Sequence, residues 1–233
     1  MKVVLSQDEK YVVDESKDFH SEHGVLSSKD MMQDGRIESS KGKKFTVAKP
    51  LFFDIWRKMK RGPQMPLPKD IGAIIAYTGI GKDSVIVDAG AGSGGIALFL
   101  AHLVKHVYTY DVREDHCTIV RKNAEFLCIT NITITCKDIT LGIAEKDVDL
   151  FTLDVPEPWN CVEALKSVRL GGFVVSYSPQ LTQTQKFIQV LSDDFIVERT
   201  IELMEREWKI SPTILKPSSE GLHSGFLTFI RRV

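Results

Sequence analysis

Four acidic residues come at or just past the ends of short strand-like runs in the sequence, and their spacing could build a binding site for a small molecule. Asp88, Asp111, Asp138 and Asp154 come at or just after the runs VIVDA, HVYTYD, ITITC and DLFTLD. If these runs are parallel strands of one sheet, their carboxyl ends meet at one edge. The pattern therefore predicts a cleft with a row of carboxylates on its rim.

A glycine-rich turn, DAGAGSGG, follows the first of these runs. Gly90, Gly92 and Gly95 satisfy the G-x-G-x-x-G pattern of a dinucleotide site, which is weak evidence when it stands alone. A row of carboxylates would repel a pyrophosphate. S-adenosylmethionine has no phosphate, and it offers a sulfonium cation, an ammonium group, a ribose diol and an adenine amine. The acids therefore favour S-adenosylmethionine over a dinucleotide.

Two of the acids receive separate roles. Asp111 lies 19 residues beyond Gly92, where a carboxylate can accept hydrogen bonds from both ribose hydroxyls. Asp138 can accept a hydrogen bond from the adenine amine. Any one such residue could instead be a solvated loop residue or a helix N-cap, and for Asp138 this alternative stays open.

The alternation of strands and helices sets the predicted fold class. From Ser84 onward, strand-like runs alternate with helical segments, which predicts a mostly parallel sheet with helices on both faces. The last two runs, FIVERTIEL and GFLTFIRR, have no helix of ordinary length between them, so we expect them to pair antiparallel. Short β-type runs before Pro50 predict a small β-rich module.

These patterns predict two domains. Residues 1–62 form the β-rich N-terminal domain with a linker helix in LFFDIWRKMKR, and residues 63–233 form the Rossmann-like cofactor-binding domain. A second helix is expected from Pro68 to Gly79, and a third from about Trp159 to Val168.

Composition narrows the function classes. The chain has 233 residues, 43% of them hydrophobic, and a formal net charge of −1, so its bulk charge does not indicate a nucleic-acid binder. Its four cysteines lack the spacing of a zinc site, so we expect free thiols and no metal. The sequence shows neither a long apolar span nor a signal peptide, so we expect a cytoplasmic protein with no membrane segment.

The run LDVPEPW ends the fourth strand and indicates the acceptor. Two prolines and an aromatic residue could form a rigid wall for a planar ring, with Asp154 directed at an exocyclic amine. Alternatively, Pro156 and Pro158 simply form a loop, and Trp159 starts a helix and packs beneath it.

Several stretches together resemble the tRNA (adenine-N1)-methyltransferases of the archaeal and bacterial type, class I enzymes that modify the T-loop. The resemblance spans nearly the whole chain in the family's order. The PKD, D-x-x-E-P-W and GFL-x-F-x-R motifs are more discriminating than the glycine turn. The matching stretches are DFHSEHGVL, RGPQMPLPKDIGAII, DAGAGSGGIALFLA, YDVREDHC, LDVPEPW, YSPQLTQTQ and HSGFLTFIRR.

The resemblance implies methylation of N1 of adenine(58) in tRNA, alone or together with adenine(57), with S-adenosylhomocysteine as the product. It implies a homotetramer and a catalytic Asp154. His116 would help to enclose the cofactor, although it could also be an exposed helix residue. The full expected cofactor set is Asp88, Gly90, Gly92, Ser93, Gly94, Gly95, Ile96, Asp111, His116, Asp138 and Asp154.

One position departs from the family pattern. Family members generally carry an aromatic residue or His just before PKD, where it can stack on the target base, but here the residue is Leu67. Leu67 loses the aromatic stacking contribution, which Tyr177 or Trp159 could supply instead.

Lysines and arginines between residues 41 and 61 could bind RNA phosphates, although a solvated basic face is the ordinary alternative. The expected substrate and RNA residues are Gln64, Leu67, Lys41, Lys43, Lys44, Arg57, Lys60 and Arg61.

Two other functions stay open. A class I methyltransferase that acts on a small molecule, such as a corrin precursor, would share the glycine turn, but the early module and the PKD stretch are against it. A tRNA-binding subunit without turnover would keep the fold, and Leu67 is the feature that favours it.

Overall fold

A computed structural model describes residues 1–60, 62, 66–218 and 223–233. The chain divides into two compact units, Met1–Met59 and Lys60–Val233. The domain boundary expected after residue 62 falls three residues beyond this division. Whether each unit is an independent folding domain stays a prediction.

The second unit contains a seven-stranded sheet. Its strands are β7 (Val85–Ala89), β8 (His106–Asp111), β9 (Ile132–Cys136), β10 (Val148–Leu153), β11 (Val168–Ser178), β12 (Phe195–Glu202) and β15 (Phe226–Arg232). They lie in the order β12-β15-β11-β10-β7-β8-β9. Strands β7 to β11 pair in parallel, whereas β15 pairs antiparallel with both β11 and β12. The mostly parallel sheet and the antiparallel last strand are thereby confirmed.

The order of the strands places the site. Strand β7 has β8 on one side and β10 on the other, so the chain reverses its direction of winding between β7 and β10. Ligands of such sheets bind outside the carboxyl ends of the strands at this reversal. The helices of the unit are α3 (Pro68–Thr78), α4 (Gly95–Ala101), α5 (Glu114–Phe126), α6 (Val162–Leu165) and α7 (Leu181–Gln189).

The core of the second unit packs against the inner strands. Val87, Phe151 and Val174 are fully buried in a cluster that also contains Phe187 of α7. Because parallel strands are covered on both faces, β7 and β10 are buried along nearly their whole length. The sheet is therefore a rigid support for whatever its carboxyl edge holds.

The first unit is a small β structure, as expected. Its elements are β1 (Lys2–Leu5), β2 (Lys10–Val13), β3 (Phe19–Ser21), β4 (Gly24–Leu26), α1 (Ser28–Met31), β5 (Gly35–Glu38), β6 (Lys44–Ala48) and α2 (Phe52–Trp56). Four strands form an antiparallel sheet in the order β2-β1-β6-β5, and β3 and β4 form a separate hairpin. The core of the unit includes Val4, Phe45 and Val47.

The helix expected across LFFDIWRKMKR is shorter than predicted, because α2 ends at Trp56. The amide N–H and the carbonyl of Lys60 are both bonded to the side chain of Asn123, so the backbone of Lys60 does not continue a helical ladder. The helix expected from Pro68 is confirmed, and Gly79 caps it in the left-handed region.

The helix expected from Trp159 to Val168 is wrong as a single element. A 3₁₀ turn, Pro158–Asn160, precedes α6, and β11 already begins at Val168. Val168 pairs with Val148 of β10, so the end of this segment is a strand rather than a helix because of its pairing with β10.

A hairpin of β13 (Trp208–Ser211) and β14 (Ile214–Pro217) was not foreseen. Its side chains are almost all exposed, so its sequence lacks the alternation of buried and exposed residues that reveals a strand.

Candidate active site

The glycine turn joins β7 to α4 and is hydrogen-bonded to the neighbouring strand β8. The amides of Gly90 and Ala91 both donate to the carbonyl of Tyr110, at 3.0 and 3.1 Å. Gly90, Gly92 and Gly94 have positive φ angles of 86°, 54° and 85°, a conformation that glycine adopts without steric cost. The turn therefore needs glycine for its backbone path.

Gly90 also allows two strand ends to approach. A Cβ added at Gly90 would lie 1.9 Å from the carbonyl oxygen of Asp154. The amide of Asp154 donates to the carbonyl of Ala89 at 2.8 Å. The residue after β10 is thus held directly against the glycine turn, at the reversal of the sheet.

Asp111 ends β8 and is almost completely buried. Its carboxylate accepts the amide of Gly92 at 2.9 Å and the amide of Arg113 at 3.0 Å. Nδ1 of His116 lies 3.0 Å from Oδ2 of the same carboxylate. Nε2 of His116 is buried and has no hydrogen-bond partner within the described chain, and His116 lines a cavity at this edge of the sheet. This nitrogen is available to a bound ligand.

Asp138 follows β9 and caps a short 3₁₀ turn, Ile139–Leu141. Its Oδ1 accepts hydrogen bonds from the amide and the hydroxyl of Thr140, at 2.9 and 2.7 Å. These bonds hold the pKa of Asp138 below its ordinary value. Asp138 is therefore an N-cap, the alternative left open by the sequence, and it also lines the cavity.

Asp154 follows β10 and differs from the other rim acids. Burial, and then the nearby charge of Asp88, raise its pKa from 3.8 to about 7. Asp88 itself is inside the sheet, where the hydroxyls of Thr109 and Thr152 donate to its two carboxylate oxygens at 2.7 and 2.6 Å. Burial raises the pKa of Asp88 as well. The pKa of Asp154 is thus well above that of an ordinary aspartate.

The cavity has a volume of about 990 Å³. It brings together six of the eleven expected cofactor residues: Gly90, Gly92, Asp111, His116, Asp138 and Asp154. The remaining five are not part of its lining, and their contact with a cofactor stays a prediction. These five are Asp88, Ser93, Gly94, Gly95 and Ile96.

Sequence reasoning missed most of the cavity's apolar wall, which includes Tyr110, Val112, Ile139 and Cys161. Burial raises the pKa of the Cys161 thiol to about 11, so this side chain is a neutral wall residue. Val112 and Ile139 directly follow two of the predicted acids, so adjacency to a strand end was a usable signal. Cys161 had no such signal.

The loop after β10 is fixed by the helix beside it. Nε2 of Gln183, on α7, donates to the carbonyl of Pro156 at 3.1 Å. Pro156, Glu157 and Gln183 all line the cavity. Val155, Pro156 and Glu157 therefore form a wall beside Asp154. Trp159 lies in the 3₁₀ turn that follows, and whether the wall faces a planar base stays a prediction.

The side chains considered for base stacking are placed differently. Leu67 is the N-cap of α3 and is 40% exposed. Tyr177 is buried and donates its hydroxyl to the carbonyl of Ser224. The ammonium of Lys186 lies 3.6 Å from the ring centroid of Trp159. Tyr177 is thus committed inside the unit, and one face of Trp159 is occupied.

The expected RNA-binding cations are partly engaged within their own unit. Lys43 pairs with Glu9 at 2.7 Å, Lys41 donates to the carbonyl of Glu22 at 3.0 Å, and Arg57 lies over the ring of Phe53. The side chains of Lys44 and Lys60 are exposed. Arg61 and Gln64 are outside the described residues.

Comparisons with known proteins agree with this geometry. Residues 55–225 match the family described as "tRNA methyltransferase complex GCD14 subunit". The chain belongs to this family. A relative from Methanocaldococcus jannaschii, tRNA (adenine(57)-N(1)/adenine(58)-N(1))-methyltransferase TrmI, is 33% identical over 91% of this chain and 87% of its own.

Two solved structures resemble the whole chain. A SAM-dependent O-methyltransferase from Thermotoga maritima is 28% identical, with a TM-score of 0.88 over 100% of this chain and 92% of the other. The tRNA (m1A58) methyltransferase TrmI from Aquifex aeolicus is 20% identical, with a TM-score of 0.85 over 100% and 96%. This GCD14-family member therefore has the class I methyltransferase fold that its sequence predicted. Across the described part of the chain, the helices are too short or too polar to cross a membrane.

Proposed function

We propose that the protein methylates N1 of an adenine in the T-loop of tRNA, with S-adenosylmethionine as the methyl donor. The observation that carries the proposal is the position of Asp154. Its carboxyl lies at the reversal of the sheet, lines a cavity rimmed by other acids, and titrates near neutral pH. Membership of the GCD14 family and the TrmI relative support the same reaction.

The residues around the cavity fit S-adenosylmethionine. Asp111 would accept from the ribose hydroxyls, the buried Nε2 of His116 offers an unused polar atom, and Asp138 would accept from the adenine amine. The glycine turn, with Ser93 to Ile96, would face the methionine part. When bound, S-adenosylmethionine supplies an electrophilic methyl group.

Asp154 would act on the acceptor base. N1 of adenine carries a lone pair at neutral pH, so no residue has to remove a proton from it first. As N1 gains the methyl group, the base becomes positively charged. An ionised Asp154 accepts a hydrogen bond from the exocyclic N6 group and stabilises this charge, which is the electrostatic part of the catalysis. The fixed Pro156 wall helps to hold the base in line, which is the orientational part.

Access of the base requires RNA binding. A T-loop adenine is stacked in the tRNA and has to be turned out to reach the cavity. We propose that Lys44, Lys60 and the other exposed cations between residues 41 and 61 contact phosphates, and that Leu67 packs on the base. Such phosphate contacts position the RNA without reading its sequence.

The assembly is proposed to be a homotetramer that works in the cytoplasm. The exposed side chains of Trp208, Ile210 and Leu215 on the β13–β14 hairpin support self-association. Light scattering on the purified protein measures the oligomer directly, and a monomer at micromolar concentration would contradict this part of the proposal.

Labelled S-adenosylmethionine and unmodified tRNA test the reaction. We expect label in 1-methyladenosine of the T-loop. Asp154→Asn should abolish most of the incorporation. Asp149→Asn is the matched control, because Asp149 is on the same strand but bonds to Val85 and Arg169, away from the cavity. Label in another nucleoside, or none in any tRNA, would refute the proposal.

A further inference from the structure

Asn123, on α5, is a buried polar residue that neither the sequence patterns nor the proposed chemistry uses. Its exposed fraction is 2%. Its Oδ1 accepts the amide of Lys60 at 2.8 Å, and its Nδ2 donates to the carbonyls of Lys60 and Ser93, both at 2.8 Å. The side chain thus joins two segments that are 63 and 30 residues away in the sequence.

The two hydrogen bonds to Lys60 fix the position of the backbone at this residue. The backbone N–H and the backbone carbonyl of Lys60 are both hydrogen-bonded to a single side-chain amide, as they would be to a neighbouring strand. Two residues later, a Cβ added at Gly62 would lie 3.5 Å from the Cβ of Ser93. The chain at 60 and 62 is therefore packed against the glycine turn.

The third bond acts on the glycine turn itself. Ser93 is buried and immediately precedes Gly94, the left-handed N-cap of α4. A hydrogen bond to the carbonyl of Ser93 fixes the peptide plane between these two residues, because a peptide group is planar. That plane sets the direction in which the turn enters α4.

We propose that Asn123 is a positioning residue of the cofactor site, which holds the turn at Ser93 in the conformation that receives the methionine part of S-adenosylmethionine. This inference rests on the proposed function. Asn123 lines no part of the cavity, so it acts through Ser93 and Gly94.

The test is the affinity for S-adenosylmethionine, measured by calorimetry without tRNA. In Asn123→Ala, the glycine turn and the backbone of Lys60 both lose their hydrogen bonds to this side chain. We expect the dissociation constant to rise about tenfold, which equals about 1.4 kcal/mol. The kcat at saturating cofactor should change much less than the KM for the cofactor, because the substitution leaves Asp154 unchanged.

Asn131→Ala is the matched control. Asn131 also ties a turn together with its side-chain amide, since Nδ2 donates to the carbonyls of Ala101 and Val104 at 2.8 and 2.9 Å. It precedes β9 and is therefore at the opposite edge of the sheet from the cavity. We expect Asn131→Ala to lower the melting temperature while leaving the cofactor affinity within about twofold of wild type.

Asn123→Asp provides a second variant if Asn123→Ala does not fold. Its carboxyl keeps an oxygen that can accept the amide of Lys60, but it loses the Nδ2 amide that donates to the carbonyls of Lys60 and Ser93, so it should also weaken cofactor binding. An affinity equal to that of wild type in whichever of the two variants folds would overturn the positioning role alone. If the wild-type protein binds no S-adenosylmethionine, the proposed function fails and the positioning role fails with it.

Discussion

Replacing Asp154 with Asn should stabilise the cofactor-free protein at alkaline pH while it destroys turnover. The folded-state pKa of about 7 is above the ordinary 3.8, so the native state holds this proton more tightly than the unfolded chain does. The resulting stabilisation is fully present below about pH 4 and is lost as the pH rises through about 7. Asn cannot ionise, so the variant does not suffer this loss.

The size of the effect follows from the difference between the folded and unfolded pKa values. About three pKa units at about 1.4 kcal/mol each give an upper limit of about 4 kcal/mol. The free energy of unfolding of Asp154→Asn, minus that of wild type, should therefore be smallest near pH 4. It should rise to at most about 4 kcal/mol by pH 8.

Urea unfolding, followed by circular dichroism at several pH values, measures this difference, and groups that titrate equally in both proteins cancel. Asp138→Asn is the control on the same rim. Hydrogen bonds from Thr140 lower the pKa of Asp138, so its replacement should cost stability above about pH 4. If the free energy of unfolding of Asp154→Asn minus that of wild type stays constant between pH 5 and 8, or decreases, the reasoning is refuted.

The effect of Asp154 on turnover depends on the same pKa. In the proposed reaction, an ionised Asp154 is the form that stabilises the methylated base, so wild-type kcat/KM should rise with pH through about 7. Loss of this one electrostatic group should lower kcat by about 10²- to 10³-fold. Full turnover by Asp154→Asn would remove Asp154 from the reaction.

Three further substitutions, the first paired with a control variant, test the site. Gly90→Ala should destabilise the protein by more than about 1 kcal/mol in thermal unfolding, because the new Cβ meets the carbonyl of Asp154 and φ is positive. The control is Gly72→Ala, inside α3, where a new Cβ has no atom of the described residues within 4 Å; it should instead stabilise the protein by up to about 1 kcal/mol. Asp111→Ala should raise the dissociation constant for S-adenosylmethionine at least about tenfold in calorimetry, because the ribose loses its acceptor; unchanged affinity would contradict that role. Leu67→Tyr should lower KM for tRNA, since stacking contributes about 1–3 kcal/mol per base, and a higher KM would show that Leu67 does not face the base.

The strands and their terminal acids could be predicted because their signals are local. Strand-like runs of five or six residues with an acid at or just past the end identify β7, β8 and β10, and the carboxyl ends of parallel strands lie at one edge of the sheet. No long-range contact had to be guessed. The fold class and the cavity rim at Asp111 and Asp154 follow from these facts alone.

The residues that escaped prediction depend on contacts distant in sequence. Asn123 meets Lys60 across 63 residues, and nothing in either segment indicates the other. The β13–β14 hairpin has no buried face to create a period. Nε2 of His116, which has no hydrogen-bond partner among the described residues, likewise becomes visible only when its burial beside Asp111 is known.

The acids on the rim do not form a uniform negative surface, and this difference matters for selectivity. Asp111 and Asp138 already accept hydrogen bonds from amides or hydroxyls, whereas the pKa of Asp154 shows that burial and Asp88 oppose its ionisation. A cation in the cavity stabilises the ionised form of Asp154, and by linkage that form strengthens the binding of the cation. A pyrophosphate does the reverse, because its negative charge raises the pKa of Asp154 further and keeps this carboxyl protonated. In the proposed reaction, the same carboxyl therefore favours a sulfonium donor before methyl transfer and a methylated base after it.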